Sequence, residues 1–414
     1  MFNGLTLLFL GALVAATGVQ LWLARRQIRH VREHRDAVPW PFAGDVTLEA
    51  HRKAANYTVA KTRFGIVEAV FGAVVLVVLT CGGVIDWLDS RWARLLAPNV
   101  LAQGVALSAT AAILLAVIEL PFSIYRTFVI EARFGFNRVT PRLFLADVLK
   151  QAALAAVFGL PLLILVLWLM GVMGHLWWFY VWIAWTAFNL VLLFIFPALI
   201  APLFNRFTPL QDLHLTARLE ALLARCGFRL RGLYVMDGSK RSSHGNAYFT
   251  GFGAAKRIVF FDTLLVRLAP PELEAVLAHE LGHFVLRHVW KRIALVLAAS
   301  LGFLWILGQL AEKRWFYEGL GVATPSSAAA LVLFVLVAPV FTFFFQPLSS
   351  LYARRHEFEA DAYAAAQASA VELARALTKL YKDNAATLTP DPLHSAFYDS
   401  HPPPSARIAR LSAT

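Results

Sequence analysis

Cysteine is nearly absent from the chain: two in 414 residues, Cys81 in an apolar stretch and Cys226 in a polar one. That excludes a disulfide framework and a zinc cluster built on cysteine. Charge is also scarce. Charged residues make up 15% of the sequence against 59% hydrophobic, too apolar for an ordinary soluble protein, so the bilayer is the expected solvent. Acidic residues are fewer than basic ones, 26 against 38, leaving a net charge of +12. A nucleic-acid-binding chain would gather such cations on one face. Here they lie between hydrophobic stretches, as expected for orientation in a membrane and attraction to anionic headgroups, which argues against nucleic acid as a partner. The first apolar run, 5–24, has no basic segment before it and no small-residue cleavage site after it, so it is expected to be an uncleaved first spanning helix.

What the sequence has in quantity is hydrophobic runs of spanning length. They fall near 4–24, 64–87, 100–124, 151–172, 177–200, 293–311 and 326–346, each close to the roughly 20 residues that cross a bilayer as a helix. The fourth and fifth are separated by little more than Gly174 and His175, and the aromatic run Trp177–Tyr180 suits a membrane interface, which predicts a tight helical hairpin or a single bent element. Basic residues crowd the first, third and fifth loops and are sparse in the second, where Arg91 and Arg94 stand alone. The odd loops are therefore expected inside, with the N-terminus outside and the C-terminus cytosolic.

The fold class expected is an all-α polytopic membrane protein: seven transmembrane helices enclosing a chamber, with a small α/β insertion. The division runs 1–204 (helices 1 to 5), 205–292 (catalytic insertion), 293–346 (helices 6 and 7) and 347–414 (C-terminal cytosolic segment). In the insertion, helical periodicity over Thr216–Cys226 ends at Gly227, and Leu233–Met236 and Arg257–Phe261 read as short strands. Between them, SSHGNAYFTGFG suits either an edge strand that a peptide could pair against or an ordinary hairpin, with Asn246, Ala247 and Tyr248 as candidate substrate contacts. Residues 272–290 read as one helix after Pro270 and Pro271, and a further helix is expected from Leu351 to about Asp383.

The chemistry is carried by HELGH. On a helix, His279 and His283 share one face and can converge on one tetrahedral metal. Glu280, one residue along, is placed to act as general base toward a water that the metal activates. The following FVLRHV lacks the glycine and histidine that a metzincin supplies, and His288 falls off the shared face, where a solvated or interfacial histidine is expected. The third ligand is sought in RRHEFEADAYA, where Glu357 and Asp361 share a face and Glu359 points to the other side. Glu357 is the candidate ligand, and Asp361 can accept the ring N–H of a ligating histidine. The same pair also suits a helix surface, bridged to Arg354 and Arg355, but beside HELGH the ligand reading is preferred. His401 and Arg407, flanking three prolines, are candidates for stabilising an oxyanion; a proline turn with a solvated arginine is the alternative.

Together HELGH, RRHEFEAD, SSHGNAYFTGFG, FGFN at 134–137 and HPPPSAR resemble the type I CAAX prenyl proteases, membrane gluzincin metalloendopeptidases, over most of the chain. The resemblance implies seven helices around a water-filled chamber, side portals for peptide and one zinc ion near the cytosolic end. By it, His279, His283 and Glu357 bind zinc, Glu280 is the base and Asp361 supports a ligand. Asn246 contacts the substrate backbone, while His401 and Arg407 stabilise the transition state. The implied partners are a peptide or protein substrate, prenylated at its C-terminus in the eukaryotic members, and membrane lipid. The excess of arginine over lysine, with abundant alanine and leucine, points to a bacterial inner membrane rather than the endoplasmic reticulum. Two rivals are a quality-control protease of the heat-shock gluzincin kind and a seven-helix transporter with a structural metal, for which Glu119 beside Pro121 would mark the pathway.

Overall fold

The structure is a computed structural model that describes residues 3–228, 232–250 and 257–413. Among these, seven helices are long and apolar enough to cross a membrane: Gly4–Glu33, Leu48–Leu79, Val100–Glu131, Pro141–Val172, Gly174–Phe204, His288–Leu310 and Ser327–Gln367. They are called the first to seventh spans below. Polar side chains set the starts of five of them. The side chains of Asn3, Thr47, Asn99, Thr140 and Ser326 each accept a hydrogen bond from a backbone N–H in the first turn, satisfying donors that have no partner within the helix. The fourth and fifth spans form the expected tight hairpin, turning at Gly174 with φ +54°.

Several ends differ from the hydropathy reading, and each has a local cause. The second span was expected over 64–87; its helix begins at Leu48, behind the Thr47 cap, and stops at Leu79, because Gly83 turns the chain with φ +77° into a separate helix, Val84–Leu95. The seventh span does not end near residue 346 but continues to Gln367, so RRHEFEAD lies on the same helical rod. The helix expected over 351–383 is divided at Ala368, where Ser369 caps a new helix, Ala370–Asp383, by accepting from the N–H of Glu372.

Two large cores dominate the packing, beside two small clusters around Tyr57 and Val31. Phe9, Leu107, Leu167, Leu307 and Leu333 belong to the one that joins the spans, whereas Val67, Val117, Val191 and Val296 point outward, as lipid-facing side chains do. The second core joins the sheet, the helix Pro270–Val285 and the helix Ala370–Asp383 through Phe260, Leu273, Leu277, Leu281 and Leu373. Its sheet has the order β1 (Phe207–Pro209), β2 (Gly232–Met236), β4 (Arg257–Phe261), β3 (Ala247–Thr250). The strands β2 and β4 are parallel, and β1 and β3 flank them antiparallel. The strand β3 forms a hairpin with β4 and lies at the edge of the sheet among the described residues; residues 251–253 of the motif lie outside the described residues.

The helix carrying HELGH spans Pro270–Val285, shorter than the expected 272–290. Arg287 takes the left-handed conformation, φ +59°, which ends that helix and starts the sixth span at His288. The HELGH helix lies against the carboxylate-bearing part of the seventh span, and Gly282 makes this possible. A Cβ there would stand 3.0 Å from Ala360 Cα and 3.2 Å from Ala360 O, both backbone atoms that cannot turn aside. Gly282→Ala should therefore separate the two helices and lower stability by about 1–3 kcal/mol, the usual cost of overpacking, despite alanine's better helix propensity. A melting temperature equal to wild type would show that the contact is not this tight.

Candidate metal centre

His279 and His283 project from adjacent turns of the HELGH helix toward Glu357 on the seventh span. Their Nε2 atoms are 3.3 Å apart. Glu357 Oε1 lies 3.3 Å from His283 Nε2, and Glu357 Oε2 lies 3.6 Å from His279 Nε2. One ligand atom from each residue falls within 4.8 Å of the others. His279 and Glu357 are buried and His283 half-buried.

The outer nitrogens explain what faces inward. His279 Nδ1 is 2.9 Å from Asp361 Oδ1, a carboxylate that favours the ring proton on Nδ1 and the lone pair on Nε2. His283 Nδ1 is likewise occupied, 3.0 Å from Nδ1 of His288. Two Nε2 lone pairs and a buried carboxylate thus face one point. Lone pairs opposed at this distance repel one another unless a cation lies between them, so the donor set fits a metal of the kind that takes imidazole and carboxylate ligands.

Asp361, buried on the far side of His279, is gripped by Arg407 from the terminal helix Pro404–Ser412, with Nε 2.8 Å from Oδ2 and Nη2 bonded to Oδ1. Burial alone would lower the pKa of Arg407, but its bonds to Asp361 hold it above the usual guanidinium range. Its Nη1 stands 3.5 Å from Glu357 Oε2. His401, largely exposed, reaches the same oxygen with Nδ1 at 2.7 Å. The loop that carries it is tied down by Arg354, whose Nε donates to Asp399 O at 3.1 Å and whose Nη2 bonds Ser395. Arg354 is therefore engaged with backbone, and Arg355 with Glu359, so neither makes the surface pairing with Glu357 and Asp361 that the sequence also allowed.

Glu280 is partly buried beside the two histidines. Desolvation pushes its carboxyl pKa up, while His279 and His283 pull it back. The strand β3 packs its Ala247 and Phe249 face toward this helix, with the Phe249 ring 5.5 Å from that of Phe284. Tyr248 points to the opposite face, near Met236 and Phe261. Asn246 is exposed at the start of the strand and closes onto its own turn, accepting from Ala247 N at 2.8 Å. Glu119 faces Arg126 at 3.5 Å, a basic partner that it shares with Glu68. Both acids line a cavity whose other walls are apolar, among them Phe71, Leu115, Phe122 and Leu336.

His288 corrects the sequence reading. It was expected at the surface and is instead 2% exposed, with Nε2 3.0 Å from Glu359 Oε2. No periodicity argument could have placed it, because the left-handed turn at Arg287 breaks the helix on which its direction was reckoned.

Residues 27–206 match the family model of the CAAX prenyl protease N-terminal region, described as five membrane helices, and residues 209–414 match peptidase family M48. A CAAX prenyl protease 1 homolog of Oryza sativa subsp. japonica is 34% identical over 92% of this chain and 92% of its own length. The CAAX prenyl protease 1 of Saccharomyces cerevisiae is 31% identical over 98% and 94%. The crystal structure of S. mikatae Ste24p superimposes with a TM-score of 0.92 at 30% identity, covering 99% of this chain and all of that one. With its seven spans and its histidine and carboxylate centre, the chain belongs to the M48 metallopeptidases, as a multi-pass membrane protease of the CAAX prenyl protease type.

Proposed function

We propose that the metal is a single zinc ion held by His279, His283 and Glu357, and that the chain cleaves membrane-associated peptides, prenylated CAAX ends among them. The observation that carries the reading is the convergence of two Nε2 lone pairs and one buried carboxylate, each histidine having its other nitrogen already engaged. Bound there, zinc would supply a Lewis acid that polarises the scissile carbonyl and makes water more acidic.

The residues divide the remaining work. Glu280 takes a proton from the attacking water and returns it to the leaving amine as the C–N bond breaks; its raised pKa strengthens the carboxylate as the base of the first transfer. His401, on a loop held by Arg354, donates its ring N–H toward the carbonyl oxygen as negative charge develops there. Arg407 adds a fixed positive charge from behind Glu357, and through Asp361 it keeps His279 in the tautomer that ligates. The outer edge of β3, which has no neighbouring strand among the described residues, is assigned to hold the substrate backbone, with Asn246, Ala247 and Tyr248 along it. The apolar cavity between the second, third and seventh spans offers room for a lipid chain. We assign residues 205–292 as the catalytic insertion. The cytosolic side is taken for this insertion and for the C-terminus, because basic residues crowd the odd loops. The excess of arginine over lysine, with abundant alanine and leucine, favours a bacterial inner membrane.

Glu280→Gln should retain zinc at the wild-type stoichiometry and lose peptide cleavage by about 100-fold or more; normal turnover would remove Glu280 as the base. Glu357→Ala should lose the metal, read as zinc per chain after dialysis, and full retention would remove it as a ligand. A farnesylated CAAX peptide should be cleaved faster than its unprenylated counterpart, and equal rates would show that the prenyl chain is not recognised.

A further inference from the structure

His283 and His279 are supported differently. The outer nitrogen of His279 meets a carboxylate directly, at Asp361. That of His283 meets a second imidazole, His288, and only beyond it a carboxylate, Glu359. The direction of the protons is fixed by what His283 must do. If its Nε2 offers a lone pair to the metal, its proton lies on Nδ1 and is donated to His288 Nδ1. His288 then accepts at Nδ1, so its own proton lies on Nε2 and is donated to Glu359 Oε2. Glu359 is held in turn by Arg355, with Nε 2.8 Å from Oε1. The relay is enclosed: His288 is 2% exposed, and the ring of His356, also 2% exposed, is stacked on it at 4.0 Å and 10°.

His288, His356 and Glu359 are close enough to suggest a second metal site. The stacking argues otherwise. Parallel rings direct their nitrogen lone pairs side by side rather than to one point, and both nitrogens of His288 already have partners.

Resting on the zinc reading above, we infer that His288 is a positioning residue which, backed by Glu359, fixes the tautomer and ring orientation of His283. Arg287 is part of the device. Its left-handed turn brings the first residue of the sixth span back over His283, which five residues of continuous helix could not do.

The test uses the full-length protein in detergent, loaded with zinc or with cobalt(II). His288→Ala should weaken metal retention against a chelator about 10–100-fold, the usual effect of losing a partner of a ligating histidine, and shift the cobalt absorption bands. His288→Asn, whose Oδ1 can stand where Nδ1 stood and accept the same bond, should restore most of both. Glu359→Gln should weaken retention less, and combined with His288→Ala it should add little. Melting of the metal-free proteins separates a folding defect from a metal defect, and the Asn variant keeps the test open if the Ala variant unfolds. Wild-type retention in His288→Ala, or an Asn variant no better than Ala, would overturn the inference. So would two metals per wild-type chain with one lost in His288→Ala. A wild-type chain that binds no metal would instead sink the zinc reading itself.

Discussion

The centre depends on how closely the HELGH helix can approach the seventh span, and Gly282 sets that distance. With no side chain at 282, the helix backbone rests on Ala360, and the residues to either side of Ala360 are Glu359 and Asp361, with Glu357 one turn back. The histidine–carboxylate contacts of the site are made across this seam. His279 reaches Glu357 and Asp361, His283 reaches Glu357, and His288, just beyond the helix end, reaches Glu359. Because the helix bearing the carboxylates continues the seventh span through one tighter turn at Phe343–Phe345, and only two residues separate the HELGH helix from the sixth span, the site is anchored to two spans. The histidines and carboxylates of the centre therefore sit on helices fixed by packing, and His401 joins them from a loop.

Charge supplies the second constraint. Glu357, Asp361 and Arg407 are all buried, and ions removed from water are costly unless they are paired. One guanidinium against two carboxylates leaves the buried cluster net negative, the sign that a bound cation would offset, and Arg354 does not offset it, being spent on oxygens of the 395–399 segment. The same accounting explains why Arg407, read in the sequence as a group aimed at the substrate, has two of its nitrogens committed to Asp361.

The spans were legible because about 20 apolar residues in a row have few other uses. HELGH and the Glu357–Asp361 pair were legible because a four-residue spacing on a helix has one geometric meaning. What escaped was decided by single residues or by tertiary contact. The cap at Thr47 carries the second span far into a polar segment, and Gly83 cuts it short at the other end. The strand β1, three residues long, is formed by pairing with β2 rather than by pattern. The breaks at Arg287 and Ala368 fall in segments with no proline or glycine to mark them, and the first of these hid His288.

The central claim is that two imidazoles and one carboxylate of this chain hold the metal, and zinc-edge X-ray absorption on the purified protein tests it most directly. The account predicts one zinc per chain with a first shell of nitrogen and oxygen only and the outer-shell scattering of two imidazoles. A first shell containing sulfur, or one without imidazole, would contradict it.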